Sequence, residues 1–233
     1  MSSIHAARRL WTVGLETARA TDHPLSTDLT SHLLFCMAQQ ALYLRRPDEA
    51  QRLIQLGHTA GIGSEPVSPS TSTAMAANAA FAHAARGDRA QCERALGASE
   101  EAFTRVDPAA ATPWACVDGP VKIATWQGHA SYEVARIGGD QRCATRAVEL
   151  LGQVVDNPRP MSRALYLPDL AGAHALAGDV GTAVAVGHQA VDTATGISSR
   201  RTYDRLRVLG GVLEPMRTSP GVAELRERLA LAA

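Results

Sequence analysis

Two histidines in this chain stand four residues before a group that could complete a chemical pair: His32 before Cys36, and His129 before Glu133. Residues four apart share a helix face, so each pair is presented side by side if its segment is helical. A histidine beside a thiol is half of a metal site or of a nucleophile–base couple. A histidine beside a carboxylate is how a general base is oriented. Neither pair comes with the rest of its constellation: no third ligand or orienting carboxylate stands at fixed spacing from His32 and Cys36, and His/Glu pairs are ordinary on exposed helix faces. The glycines of 61–63 and 178–181 lack a following Lys-Ser/Thr and a preceding strand, which gives no support to a phosphate loop. His83 and His174 each lie between two alanines, shortly before a Gly-Asp pair, and this repeated placement argues for packing at a turn rather than for ligation. No metal and no cofactor is expected.

The elements that must position these residues are punctuated by four tight turns. They are Arg45-Arg46-Pro47-Asp48, Gly87-Asp88-Arg89-Ala90, Gly139-Asp140-Gln141-Arg142 and Gly178-Asp179-Val180-Gly181. Apolar residues recur at three- and four-residue spacing through about ten segments and strand-like alternation is nearly absent, so the chain reads as all-α. The first helix is expected over 4–20 and the last over 222–231. Irregular stretches are expected near 61–73, ending in a Ser/Thr cap before Ala74, and near 107–119, with a further break at 157–160. In the second stretch Trp114 and Cys116 either cover a groove as a lid or plug a gap, the plug being favoured.

Counted from the first residue of each turn, the spacings are 42, 52 and 39 residues, longer than the tetratricopeptide period of about 34. In such a hairpin the residue seven before the turn and those five and twelve after it must be small, because the helices cross there. These places hold Ala38, Ala50 and Gly57; Ala80, Cys92 and Ser99; Tyr132, Ala144 and Leu151; Ala171, Ala183 and Ala190. The third set breaks the rule at both ends, which implies a shifted register or a splayed hairpin. The expected fold is a superhelical solenoid of tetratricopeptide-like helical hairpins, about ten to eleven helices in a single domain over 1–233.

Composition narrows the function classes. The 233 residues carry 23 basic and 23 acidic side chains, so no net charge draws the chain to nucleic acid or anionic lipid. No window approaches a membrane span and no signal peptide opens the chain. Cys36, Cys92, Cys116 and Cys143 form no CxxC pair and read as reduced, mostly buried thiols of a cytoplasmic protein. Abundant alanine with a single lysine, Lys122, reflects the codon usage of high-GC bacteria.

Residues 162–171 and 173–179, the ending 205–209 with 220–229, and the earlier segments 37–44 and 46–50 resemble the C-terminal tetratricopeptide-like region of actinomycete helix-turn-helix regulators. The resemblance extends from about residue 29 onward. It implies a sensor module whose concave helical surface binds a peptide or small molecule, or mediates self-association. Nothing in 1–26 offers the short helix, turn and basic recognition helix that such regulators place on DNA, so any regulatory role is expected to run through a partner.

In stacked hairpins the first helix of each pair lines the inner groove. The turn register places His32, Phe35, Gln39 and Tyr43 there, then Asn78 and Phe81, then Trp126, His129, Glu133 and Arg136, and finally Asp169. Amides and charges mixed with aromatics suit capture of a peptide, a protein segment or a polar small molecule. The expected function is therefore a non-enzymatic sensing or interaction module of a regulatory or specialised-metabolite pathway. Two alternatives stand beside it: an enzyme using His129 and Glu133, with Tyr132 or Asp169, for acid/base work, and a homodimeric scaffold joined through terminal helices around Leu225, Leu229 and Leu231. The irregular third hairpin is where a site is expected.

Overall fold

Three of the four turns are closed by the same two residues. Gly87, Gly139 and Gly178 adopt φ of +72°, +69° and +93°, the left-handed conformation that ends a helix and that glycine takes without a Cβ penalty. The aspartate that follows caps the next helix: Asp88 accepts from the Gln91 N–H, Asp140 from those of Arg142 and Cys143, and Asp179 from that of Thr182. The carbonyls of His83 and His174 accept the N–H groups of Asp88 and Asp179 at 3.0 and 2.9 Å. Their Nδ1 atoms lie 4.0 and 3.4 Å from the two cap carboxylates, so both histidines belong to the turns. The first turn lacks both residues. There Arg45 itself takes φ +59°, and the next helix opens on Pro47, whose fixed φ suits the first helical position.

The computed structural model describes residues 3–60, 67–117 and 119–232, and among them it contains eleven α-helices and no strand. They are α1 (Ser3–Ala20), α2 (Ser26–Tyr43), α3 (Pro47–Ala60), α4 (Pro69–Ala84), α5 (Arg89–Phe103), α6 (Pro120–Gly138), α7 (Gln141–Leu151), α8 (Pro160–Ala177), α9 (Val180–Ala194), α10 (Arg200–Leu213) and α11 (Val222–Ala232). The chain divides into two units, 1–123 and 124–233, with the boundary inside α6. In the first unit α1 packs on α2, and the hairpins α2/α3 and α4/α5 are joined by both helices of the first lying on α4. In the second, α7 packs on α8, α8 pairs with α9 and with α10, and α11 closes on α9 and α10. Each unit is a stack of tetratricopeptide-like hairpins.

The crossings explain the small residues. Ala38, Ala50, Ala80, Ala144, Ala171, Ala183 and Ala190 are fully buried. Ser31 Oγ donates to the Gly57 carbonyl at 2.9 Å in the first hairpin, and Ser99 Oγ donates to the Thr73 carbonyl at 3.0 Å in the second. Both bonds join the same two places relative to the turn, with donor and acceptor exchanged between the helices.

The third hairpin keeps its close approach by another route. A Cβ on Gly128 would lie 2.7 Å from Leu151, so the small residue has moved one helical turn earlier on α6. The buried Tyr132 ring in turn occupies the space that a side chain at Gly172 would fill, again at 2.7 Å. Large and small residues have been exchanged across the crossings.

Two boundaries differ from expectation. α4 begins at Pro69 and not near Ala74, because Ser68 caps the Thr71 N–H and proline fits the first helical position; residues 61–66, including the glycines 61 and 63, lie outside the described residues. The terminal helix covers its own unit. Leu225 and Leu229 are buried, with Leu225 seated on Gly187, and of the three leucines only Leu231 is exposed. No helix among the described residues is long and apolar enough to cross a membrane.

Candidate functional site

In the second unit, α6 and α10 each send a side chain to one carboxylate on α8. Asp169 on α8 is buried, with 5% of its side chain exposed. His129 Nδ1, on α6, donates to Asp169 Oδ2 at 2.8 Å. Arg205, on α10, donates Nη1 to the same oxygen and to the Leu165 carbonyl, the latter at 2.8 Å. Its guanidinium carbon stands 4.9 Å from the centroid of the Tyr166 ring, against which His129 also packs edge-on at 6.1 Å. A buried carboxylate needs such compensation, because an unpaired charge away from water is far costlier than a paired one. Pro168 precedes Asp169 inside α8 and has no N–H, so the Ala164 carbonyl receives no helical bond from it and the local ladder is interrupted next to the arginine's acceptor.

Glu133 and Arg136 form a second pair one turn further along α6, Arg136 donating to both carboxylate oxygens at 2.6 and 3.2 Å. Burial opposes the Arg136 charge, but the hydrogen bond and charge of Glu133 outweigh it and raise its pKa. The Tyr132 phenol is pushed well above its usual range, first by burial and then by the Asp169 and Glu133 charges. The carboxylate hydrogen-bonded to His129 is thus that of Asp169, from another helix, whereas the i, i+4 spacing had suggested Glu133. Asp169 therefore fixes the orientation of the His129 ring from the Nδ1 side.

The remaining register residues divide into buried supports and first-unit residues. Trp126 is buried. His32, Gln39 and Asn78 belong to the first unit, with His32 and Gln39 half-buried on α2 and Asn78 buried on α4. Asn78 Nδ2 donates to the Phe35 carbonyl at 3.1 Å, and its Oδ1 has no partner among the described residues. Asn78 and Phe35 sit nine and ten places before their turns, and so do Asp169 and His129. The polar bridge between adjacent first helices therefore recurs in both units at one register position. His32 Nε2 lies 3.6 Å from Cys36 Sγ, as the spacing predicts. Burial, with Cys116 adding to it, pushes the Cys36 thiol to about 11, and burial lowers the His32 pKa against the pull of Asp28. A thiol so far from ionising is a packed group and not an activated nucleophile. No group of three metal-ligating side chains occurs among the described residues.

Three participants escaped the sequence reading. Arg205 lies on a helix with no Gly-Asp turn after it, so the register count could not reach it. Tyr166 falls between counted positions. Asp28, in the first turn of α2, accepts from the Ser68 N–H at 2.7 Å, Thr71 Oγ1 at 3.2 Å and Trp114 Nε1 at 2.7 Å. Trp114 is accordingly pinned inside the first unit, with its ring 6.4 Å from that of His32.

No protein-family model matches the chain, and no curated protein or solved structure is significantly similar to it.

Proposed function

We propose that this chain is a non-enzymatic interaction module that senses a peptide, a protein segment or a polar small molecule through α6, α8 and α10 of its second unit. The observation that carries this reading is the convergence of His129, Tyr166 and Arg205, from three helices, around buried Asp169. Side chains locked by mutual hydrogen bonds lose little freedom when a ligand arrives, which is how a few polar groups on a helical scaffold confer specificity. A regulatory setting is supported by the resemblance of 162–171, 173–179, 205–209 and 220–229 to the repeat region of helix-turn-helix regulators. The test is a panel of arrayed peptides and polar metabolites, read by thermal shift on the native chain and on Arg205→Lys. The variant keeps the charge and loses the planar fork that reaches Asp169 and Leu165 together. A ligand that raises the melting temperature of the native chain and binds Arg205→Lys at least about tenfold more weakly supports the proposal. Ligands that stabilise both proteins equally place recognition elsewhere.

A second reading, acid/base catalysis, is favoured by one contact, the 2.8 Å bond that orients His129 on Asp169. Turnover of a panel compound that is lost in His129→Gln would replace the binding reading with this one.

A further inference from the structure

The first unit holds a second polar centre, independent of the one above. Asp28 is 4% exposed, and its three donors are a backbone N–H, a hydroxyl and an indole N–H, all neutral. No cationic side chain is paired with it among the described residues. Two of the donors, Ser68 N–H and Thr71 Oγ1, come from the capped start of α4 and belong to the helical scaffold. The third does not. Trp114 is half-buried and sits on the stretch between α5 and α6, where, among the described residues, a three-residue 3-10 turn, Pro108–Ala110, is the one regular element. His32 faces the carboxylate closely enough to feel its charge, and the Trp114 ring lies 6.4 Å from that of His32.

A buried carboxylate beside aromatic faces is better matched to a planar cation than to a neutral N–H. A guanidinium offers the oxygen a charge-assisted, forked hydrogen bond and stacks on the rings beside it. The Trp114 indole, on the strap between α5 and α6, presents one N–H and a flat face without the charge or the fork. We infer that Asp28 and His32 form a recognition site for a guanidinium-bearing side chain of a peptide, and that Trp114 is a built-in stand-in which such a ligand displaces. The strap then acts as an intramolecular competitor, reducing the apparent affinity to the intrinsic one multiplied by the fraction of time Trp114 leaves Asp28 open.

The experiment titrates agmatine, and an acetylated peptide of residues 112–117 with arginine in place of the tryptophan, into the native chain, Trp114→Ala and Asp28→Asn, with circular dichroism checking the fold of each. The expected result is binding to Trp114→Ala at least tenfold tighter than to the native chain, and none to Asp28→Asn. A folded Trp114→Ala protein that binds neither probe more tightly than the native chain overturns the inference and leaves the contact as packing. If Asp28→Asn does not fold, the native chain supplies the second arm. The Trp114 indole N–H resonance, assigned by its loss in Trp114→Phe, must shift on saturation with the arginine peptide, and an unmoved resonance overturns the inference equally.

Discussion

Arg45 holds the backbone conformation that the three later turns give to glycine. A left-handed conformation costs an L side chain roughly 1 kcal/mol, and glycine takes it without that cost. Arg45→Gly is therefore expected to raise stability by about 0.5–1 kcal/mol, measured by urea denaturation at constant m-value. The histidines make the opposite kind of statement. His32, His58 and His83 all have pKa values lowered by burial, against partial opposition from Asp28 at His32 and Asp88 at His83. The unfolded chain, with histidines near 6.5, binds protons more readily than the folded one, so the stability they support is complete above about pH 6.5 and is lost as pH falls below it. The melting temperature should drop between pH 7.5 and 5.5, and His83→Gln should flatten the dependence; a melting temperature that holds or rises on acidification would contradict the assignment. Cys36, at about 11, holds only about a thousandth of its thiol as thiolate at pH 8. Its reaction with a disulfide reagent there should be far slower in the native protein than in the unfolded chain.

Among the elements, the hairpins were legible because their signals are local. Gly-Asp at a turn fixes one helix's end and the next one's cap within two residues, and small residues at three counted places mark each crossing. The third hairpin was illegible for the converse reason. Tyr132 and Leu151 look wrong in their own hairpin, and only the packing identifies Gly172 and Gly128 as the residues that accommodate them. Gly172→Ala should consequently cost about 1–3 kcal/mol by overpacking, since the Tyr132 ring is fully buried and has nowhere to move. In Tyr132→Leu the same glycine substitution should cost markedly less. Equal losses in both backgrounds, measured as a double-mutant cycle by urea denaturation, would show that the ring and the glycine are not coupled. The site was half legible in the same sense. Register counting selected His129 and Asp169 separately, but their pairing depends on how α6 meets α8, and Arg205 enters from α10, beyond the last counted turn.

At the scale of the whole molecule, two hairpin units repeat one device, a polar bridge between neighbouring first helices at equivalent positions, and embellish it differently. In the first unit the bridge is an amide on a carbonyl, Asn78 to Phe35. In the second it is a charged cluster of His129, Asp169 and Arg205. A scaffold requires only the first kind, because a neutral bridge satisfies a helix pair without burying charge. The charged version, placed beside the half-buried Tyr166, is the feature on which the proposed recognition role of the second unit rests. Native mass spectrometry of the protein purified from its own host tests this most directly. The account predicts a retained non-covalent mass on the native chain that is absent from Arg205→Lys prepared in the same way; an identical mass on both proteins, or bare chains in both, would contradict it.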